Sequence, residues 1–179
     1  MNSLTARIRT SGPDSTLGYI LLRNGGWLIV PPMLITFGLW GALPAAYDIN
    51  NFWQGIPAWL GLLENSFRIL VFALPGILYF GRKDAGQRAG WILYAAGIFI
   101  YSASYLAQIT FPDSIWSRSL LGFAAPAWTT SLWLAGIGLV SARSWLPIRW
   151  HRAIYLGVAS LFLICHVGHT ILVYSHIAR

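Results

Sequence analysis

Trp59-Leu-Gly-Leu-Leu-Glu-Asn-Ser-Phe-Arg-Ile-Leu-Val-Phe-Ala-Leu-Pro-Gly-Ile-Leu-Tyr-Phe80 is an apolar run interrupted by two charges, Glu64 and Arg68. A helix needs about 20 mostly apolar residues to cross the hydrocarbon of a bilayer, so this stretch predicts a membrane span. Four further runs share its character, at 27–47, 90–111, 119–141 and 153–174. The loops between them are short. The expected fold is therefore all-α, a bundle of five transmembrane helices forming one domain over 27–179, preceded by a cytoplasmic or interfacial segment 1–26. Apolar residues make up 56% of the chain and charged residues 9%, outside the range of water-soluble domains. Residues 1–26 show neither a long apolar core nor a small-residue cleavage site, so no signal peptide is expected.

The formal charge of +7 is unevenly placed. Arg7, Arg9 and Arg23 precede the first span; Arg82, Lys83 and Arg88 join spans two and three; Arg143, Arg149 and Arg152 join spans four and five. The opposite ends carry Arg118 and Arg179. Nine cations against two on alternating sides predict a cytoplasmic N-terminus and an outside C-terminus, as in a multi-pass protein of a bacterial-type inner (plasma) membrane. The basic balance then reflects topology and contact with anionic membrane lipids, and no nucleic-acid partner is expected. The lone Cys165 lies within span five and can form no intrachain disulfide.

Charges at membrane depth are costly and mark functional positions. Glu64 and Arg68 are separated by one helical turn, and Asn65 falls on the same arc. Span two runs inward, which sets Glu64 about 8 Å and Arg68 about 14 Å below its outer end at 1.5 Å per residue. Span five runs outward and brings His166 and His169 to depths of about 12 Å and 8 Å. Tyr94, Tyr101, Tyr105 and Gln108 form a stripe on span three, whose outer three members reach the same layer. His176 lies at the outer mouth. Each element also has a purely structural reading: an ion pair that eases insertion, histidines bonded across helices, tyrosines as packing.

Together these residues have the parts for acid–base chemistry on an amphiphile. Glu64, His166 and His169 are the candidate catalytic groups, while Asn65, Arg68, Tyr101, Tyr105 and Gln108 are candidates for holding the substrate. A lipid-like, isoprenoid or quinone molecule suits a polar layer between apolar walls. The sequence requires no cofactor. A metal on His166, His169 and Glu64 is an alternative, as is haem on a single histidine, since spans one to four contain no histidine for a facing ligand. Two other classes stand beside the enzyme: a small proton-coupled transporter, and a redox or accessory subunit that binds a partner subunit or forms an oligomer.

Overall fold

The computed structural model describes residues 21–177. The expectations for the first 20 residues, including Arg7 and Arg9, and for Arg179 lie outside them. The chain is mostly helical, and four of its segments are long and apolar enough to cross a membrane: Gly25–Ala42, Ala58–Ile77, Ala85–Thr110 and His151–Ile177. It is a multi-pass membrane protein by that measure.

Five helices order the bundle. Helix α1 (Val30–Leu39) follows a 3₁₀ turn at Gly25–Ile29, and Pro31 and Pro32 sit in its first turn, where their missing N–H groups cost nothing. Helix α2 (Ala58–Ala73) ends in a 3₁₀ turn, Leu74–Ile77, that contains Pro75. Helix α3 (Ala85–Thr110) starts at an Asp84 cap whose carboxylate accepts from the Gln87 N–H at 2.7 Å. Helices α4 (Thr130–Val140) and α5 (His151–Ile177) complete the set. Helix α5 lies between α2 and α4, α3 pairs with α4, and α1 leans on α3.

The buried residues of α3 include Gln87, Gly90, Tyr94, Gly97, Tyr101, Ser104 and Gln108, spaced alternately by three and four. That is the seam of a closely packed helix pair. A side chain on Gly97 would meet the Trp133 backbone nitrogen at 2.5 Å, and one on Gly136 would meet the Tyr94 Cα at 2.6 Å. Small residues let these backbones touch where lipid supplies no hydrophobic drive.

The run 119–141 differs from the single helix expected. It is a succession of short helices, Leu120–Phe123, Ala125–Trp128 and then α4. Pro126 is the cause, because it cannot donate to the Gly122 carbonyl one turn back. Gln108 Nε2 fills that role at 2.7 Å. Ala127 donates to Ala124 instead of Phe123, and the Tyr47 hydroxyl takes the Phe123 carbonyl at 2.7 Å. Backbone groups freed by Pro126 are thus satisfied by neighbouring side chains.

A small sheet departs from the all-helical expectation. Strand β1 (Leu78–Phe80) pairs antiparallel with β2 (Ser141–Ser144), and Asn24 bridges to Tyr79 on the other side of β1. Phe80 N–H donates to the Arg23 carbonyl at 3.1 Å, and Arg152 Nε donates to the Ser141 carbonyl at 2.6 Å. Arg23, Arg82, Lys83, Arg143 and Arg152 accordingly gather at one end of the bundle. The other end is closed by the turns Ala45–Tyr47 and Ile49–Phe52, which pack inward through Tyr47, stacked on Phe123 of the Leu120–Phe123 helix.

Candidate functional site

The buried face of α2 runs through Leu60, Gly61, Glu64 and Val71, and that of α5 through Phe162, Cys165, His169, Thr170 and Val173. These two stripes face each other. Their contact brings Glu64 to His166 and His169 and buries the carboxylate completely. Glu64 Oε1 accepts from Arg68 Nη2 and, at 2.9 Å, from His166 Nδ1; Glu64 Oε2 lies 2.6 Å from His169 Nδ1. Arg68 also donates to Asn65 Oδ1 at 3.1 Å, and its guanidinium lies 5.9 Å from the Phe162 ring centroid. An isolated ion in this setting would cost several kcal/mol; three donors on one carboxylate offset that cost.

His169 is buried and bonded at both ring nitrogens. Its Nε2 is 2.8 Å from the Phe52 carbonyl, and the Phe52 and Trp53 rings pack against it at centroid distances of 4.8 Å and 4.5 Å. A carbonyl oxygen only accepts, so Nε2 carries a hydrogen. The 2.6 Å line to Glu64 Oε2 needs a hydrogen as well, whether it rests on nitrogen or on oxygen, because two bare lone pairs repel at that distance. The Glu64–His169 pair therefore holds one proton more than a carboxylate beside a neutral imidazole. It is neutral overall.

His166 occupies the other side of the carboxylate. Its Nδ1–H donates to Glu64, its ring stacks on Phe162 at 5.1 Å, and its Nε2 meets no hydrogen-bond partner among the described residues. A neutral ring of that tautomer presents a basic nitrogen. His166 and Arg68 both line a cavity of about 540 Å³ enclosed by α1, α2, α3, α5, the 123–133 stretch and the 43–53 turns. The volume falls inside the range of small-molecule pockets, about 300–1,000 Å³.

The far wall carries a chain of hydroxyls. Thr36 donates to the Pro32 carbonyl at 2.9 Å, so it accepts from the Tyr101 hydroxyl at 2.7 Å; Tyr101 in turn accepts from Tyr105 at 3.2 Å. Trp133 lines the same cavity, is 1% exposed, and its indole N–H has no partner. The remaining lining is largely aromatic and aliphatic.

Of the residues singled out from the sequence, Glu64, Asn65, Arg68, His166 and His169 form one bonded cluster, and Tyr101 and Tyr105 share its cavity. Tyr94 donates to the Leu28 carbonyl at 2.8 Å, away from the cavity, and Gln108 is bonded to the Gly122 carbonyl. His176 sits by Gly55, whose φ of 73° needs a glycine. Thr36, Trp133 and the Phe52 carbonyl had no signal in the sequence beyond their polarity or aromaticity. For the metal alternative, His166 and His169 each stand at hydrogen-bonding distance from Glu64. Among the described residues no group of three His, Cys, Asp or Glu side chains is arranged to hold a metal ion.

No protein-family model matches the chain, and neither a curated protein nor a solved structure shows significant similarity to it.

Proposed function

We propose that this is an intramembrane acid–base enzyme acting on a lipid-like, isoprenoid or quinone substrate. One observation carries the reading: a histidine with an unpartnered Nε2 lines a mostly apolar cavity, and its Nδ1–H is fixed by a buried carboxylate. A carboxylate behind an imidazole fixes its tautomer and orientation, which suits His166 to take a proton from bound substrate or return one. Glu64 and His169 act through His166 by holding it. Arg68 faces the polar part of the substrate, and the aromatic lining holds the tail.

Five spans with the N-terminus inside belong to the same proposal. The 21 residues from Leu120 to Val140 cover about 31 Å at 1.5 Å per residue, enough to cross the hydrocarbon despite the breaks at Ala124 and Thr129. The gathered cations at the sheet end support a cytoplasmic location for it, and the cavity then lies towards the outer leaflet.

The test is a comparison of wild type with His166→Gln, each purified and incubated with total membrane lipid extract while products are followed by mass spectrometry. The expected result is one amphiphile that changes in mass or isomer with wild type only, while both proteins retain it on purification. A lipid profile unaltered by the wild-type protein would overturn the enzymatic reading.

A further inference from the structure

Resting on the amphiphile pocket just proposed, the charge of the site specifies the headgroup. Among the described residues Arg68 has one carboxylate within reach, Glu64. Yet Glu64 is also matched by the extra proton that the Glu64–His169 pair holds, because the Nε2 hydrogen is given to the Phe52 carbonyl and the Nδ1 line needs a hydrogen of its own. Summing the cluster leaves a neutral Glu64–His169 pair, a neutral His166 and one guanidinium. The site therefore carries a net charge of +1 at membrane depth.

Nothing else among the described residues cancels it. Asp84 caps α3 and approaches Arg152 at 3.6 Å at the sheet end, Asp113 pairs with Arg118 at 2.5 Å, and Asp48 is exposed and does not line the cavity. A lone cation in hydrocarbon surroundings is expensive, and such groups are found paired. The Arg68 side chain is 34% exposed and borders the cavity, so the missing anion has a place to sit.

We infer that the cavity binds an amphiphile with an anionic oxyanion headgroup, a phosphate ester or a carboxylate, held by Arg68, with its chain along the aromatic wall. Arg68 offers the planar fork that matches either oxyanion. Neutral and cationic headgroups leave the net positive charge of the cluster uncompensated.

The experiment is native mass spectrometry of the full chain in a neutral polyoxyethylene detergent. The protein is offered equimolar dodecyl phosphate, dodecanoate and dodecyl glucoside, which share a tail and differ in head. The expected adduct ratio favours at least one of the two anions over the glucoside by about tenfold or more, the scale of a charge-assisted hydrogen bond. Phosphate over carboxylate, or the reverse, identifies which oxyanion the site takes. Arg68→Gln should erase the preference, and Arg68→Lys should keep part of it. Should Arg68→Gln fail to fold, Arg68→Lys still reads the site, with a partial loss of anion preference. Glucoside adducts equal to both anions in wild type would overturn this inference and leave the amphiphile pocket standing. Absence of adducts with all three would remove the pocket reading itself, and this one with it.

Discussion

Glu64 Oε2 and His169 Nδ1 lie 2.6 Å apart across the α2–α5 contact, although 105 residues separate them in the chain. Both side chains are fully buried, so this single line joins the second and last long helices through a shared proton. Helix contact and proton placement are consequently one property here.

Replacing Glu64 with Gln removes the shared proton from that line. The amide cannot share the proton, and Arg68 loses its counter-charge, so a loss of about 3–5 kcal/mol is expected, the cost of removing one partner from a buried pair. Thermal unfolding in detergent measures the loss. Nitrogen-15 spectra of histidine-labelled protein check the cause: a strongly downfield Nδ1 proton from His169 in wild type should vanish in Glu64→Gln.

Gln108→Leu should cost about 1–3 kcal/mol by leaving the Gly122 carbonyl without a donor inside the bundle. The cause is testable through Pro126. In a Gln108→Leu, Pro126→Ala double variant the backbone regains an N–H one turn away, and most of the lost stability should return. Melting temperatures of the four proteins in a double-mutant cycle give the coupling. A purely packing role for Gln108 predicts additive losses instead.

Gly97→Val should pry α3 from α4, because the new side chain would begin 2.5 Å from the Trp133 backbone nitrogen. Overpacking of this kind costs about 1–3 kcal/mol or more. Since Trp133 and Tyr101 border the cavity from these two helices, ligand retention should fall together with melting temperature. Gly157→Val is the control, as a Cβ there meets nothing within 4 Å.

Orientation is read by labelling single cysteines in a Cys165→Ser background with a membrane-impermeant maleimide on intact cells. Asn51→Cys should react from outside, and Lys83→Cys only after lysis. Reaction of Lys83→Cys on intact cells would reverse the proposed topology.

The meeting of Glu64 with His166 and His169 was legible because depth is nearly one-dimensional. Residue counts from a span's end fix a height, and side chains of one height in a small bundle have few other places to go. Neighbour order was not legible in that way, so Thr36 and Trp133 could not be set on the same cavity as Arg68. The second partner of His169 is a backbone carbonyl in a turn, which carries no residue-type signal. Gln108 read as part of a polar stripe, although the decisive fact was Pro126 opening a carbonyl across from it. Strand β1 was hidden by its apolar composition, which continues that of span two; only its partner at Ser141–Ser144, far along the chain, shows that the backbone leaves the helix at Ile77.

The spacing of Glu64 and Arg68 has a consequence for biogenesis. Span two enters the bilayer long before residues 166 and 169 have been synthesised, so during that interval the carboxylate lacks the two histidines that hold it in the finished protein. Arg68, one turn away on the same helix, is the only partner already present. The i,i+4 pair thus works as an insertion escort: it carries the acid into the membrane neutralised, and the last helix to arrive takes over the carboxylate and turns the arginine's charge towards the cavity.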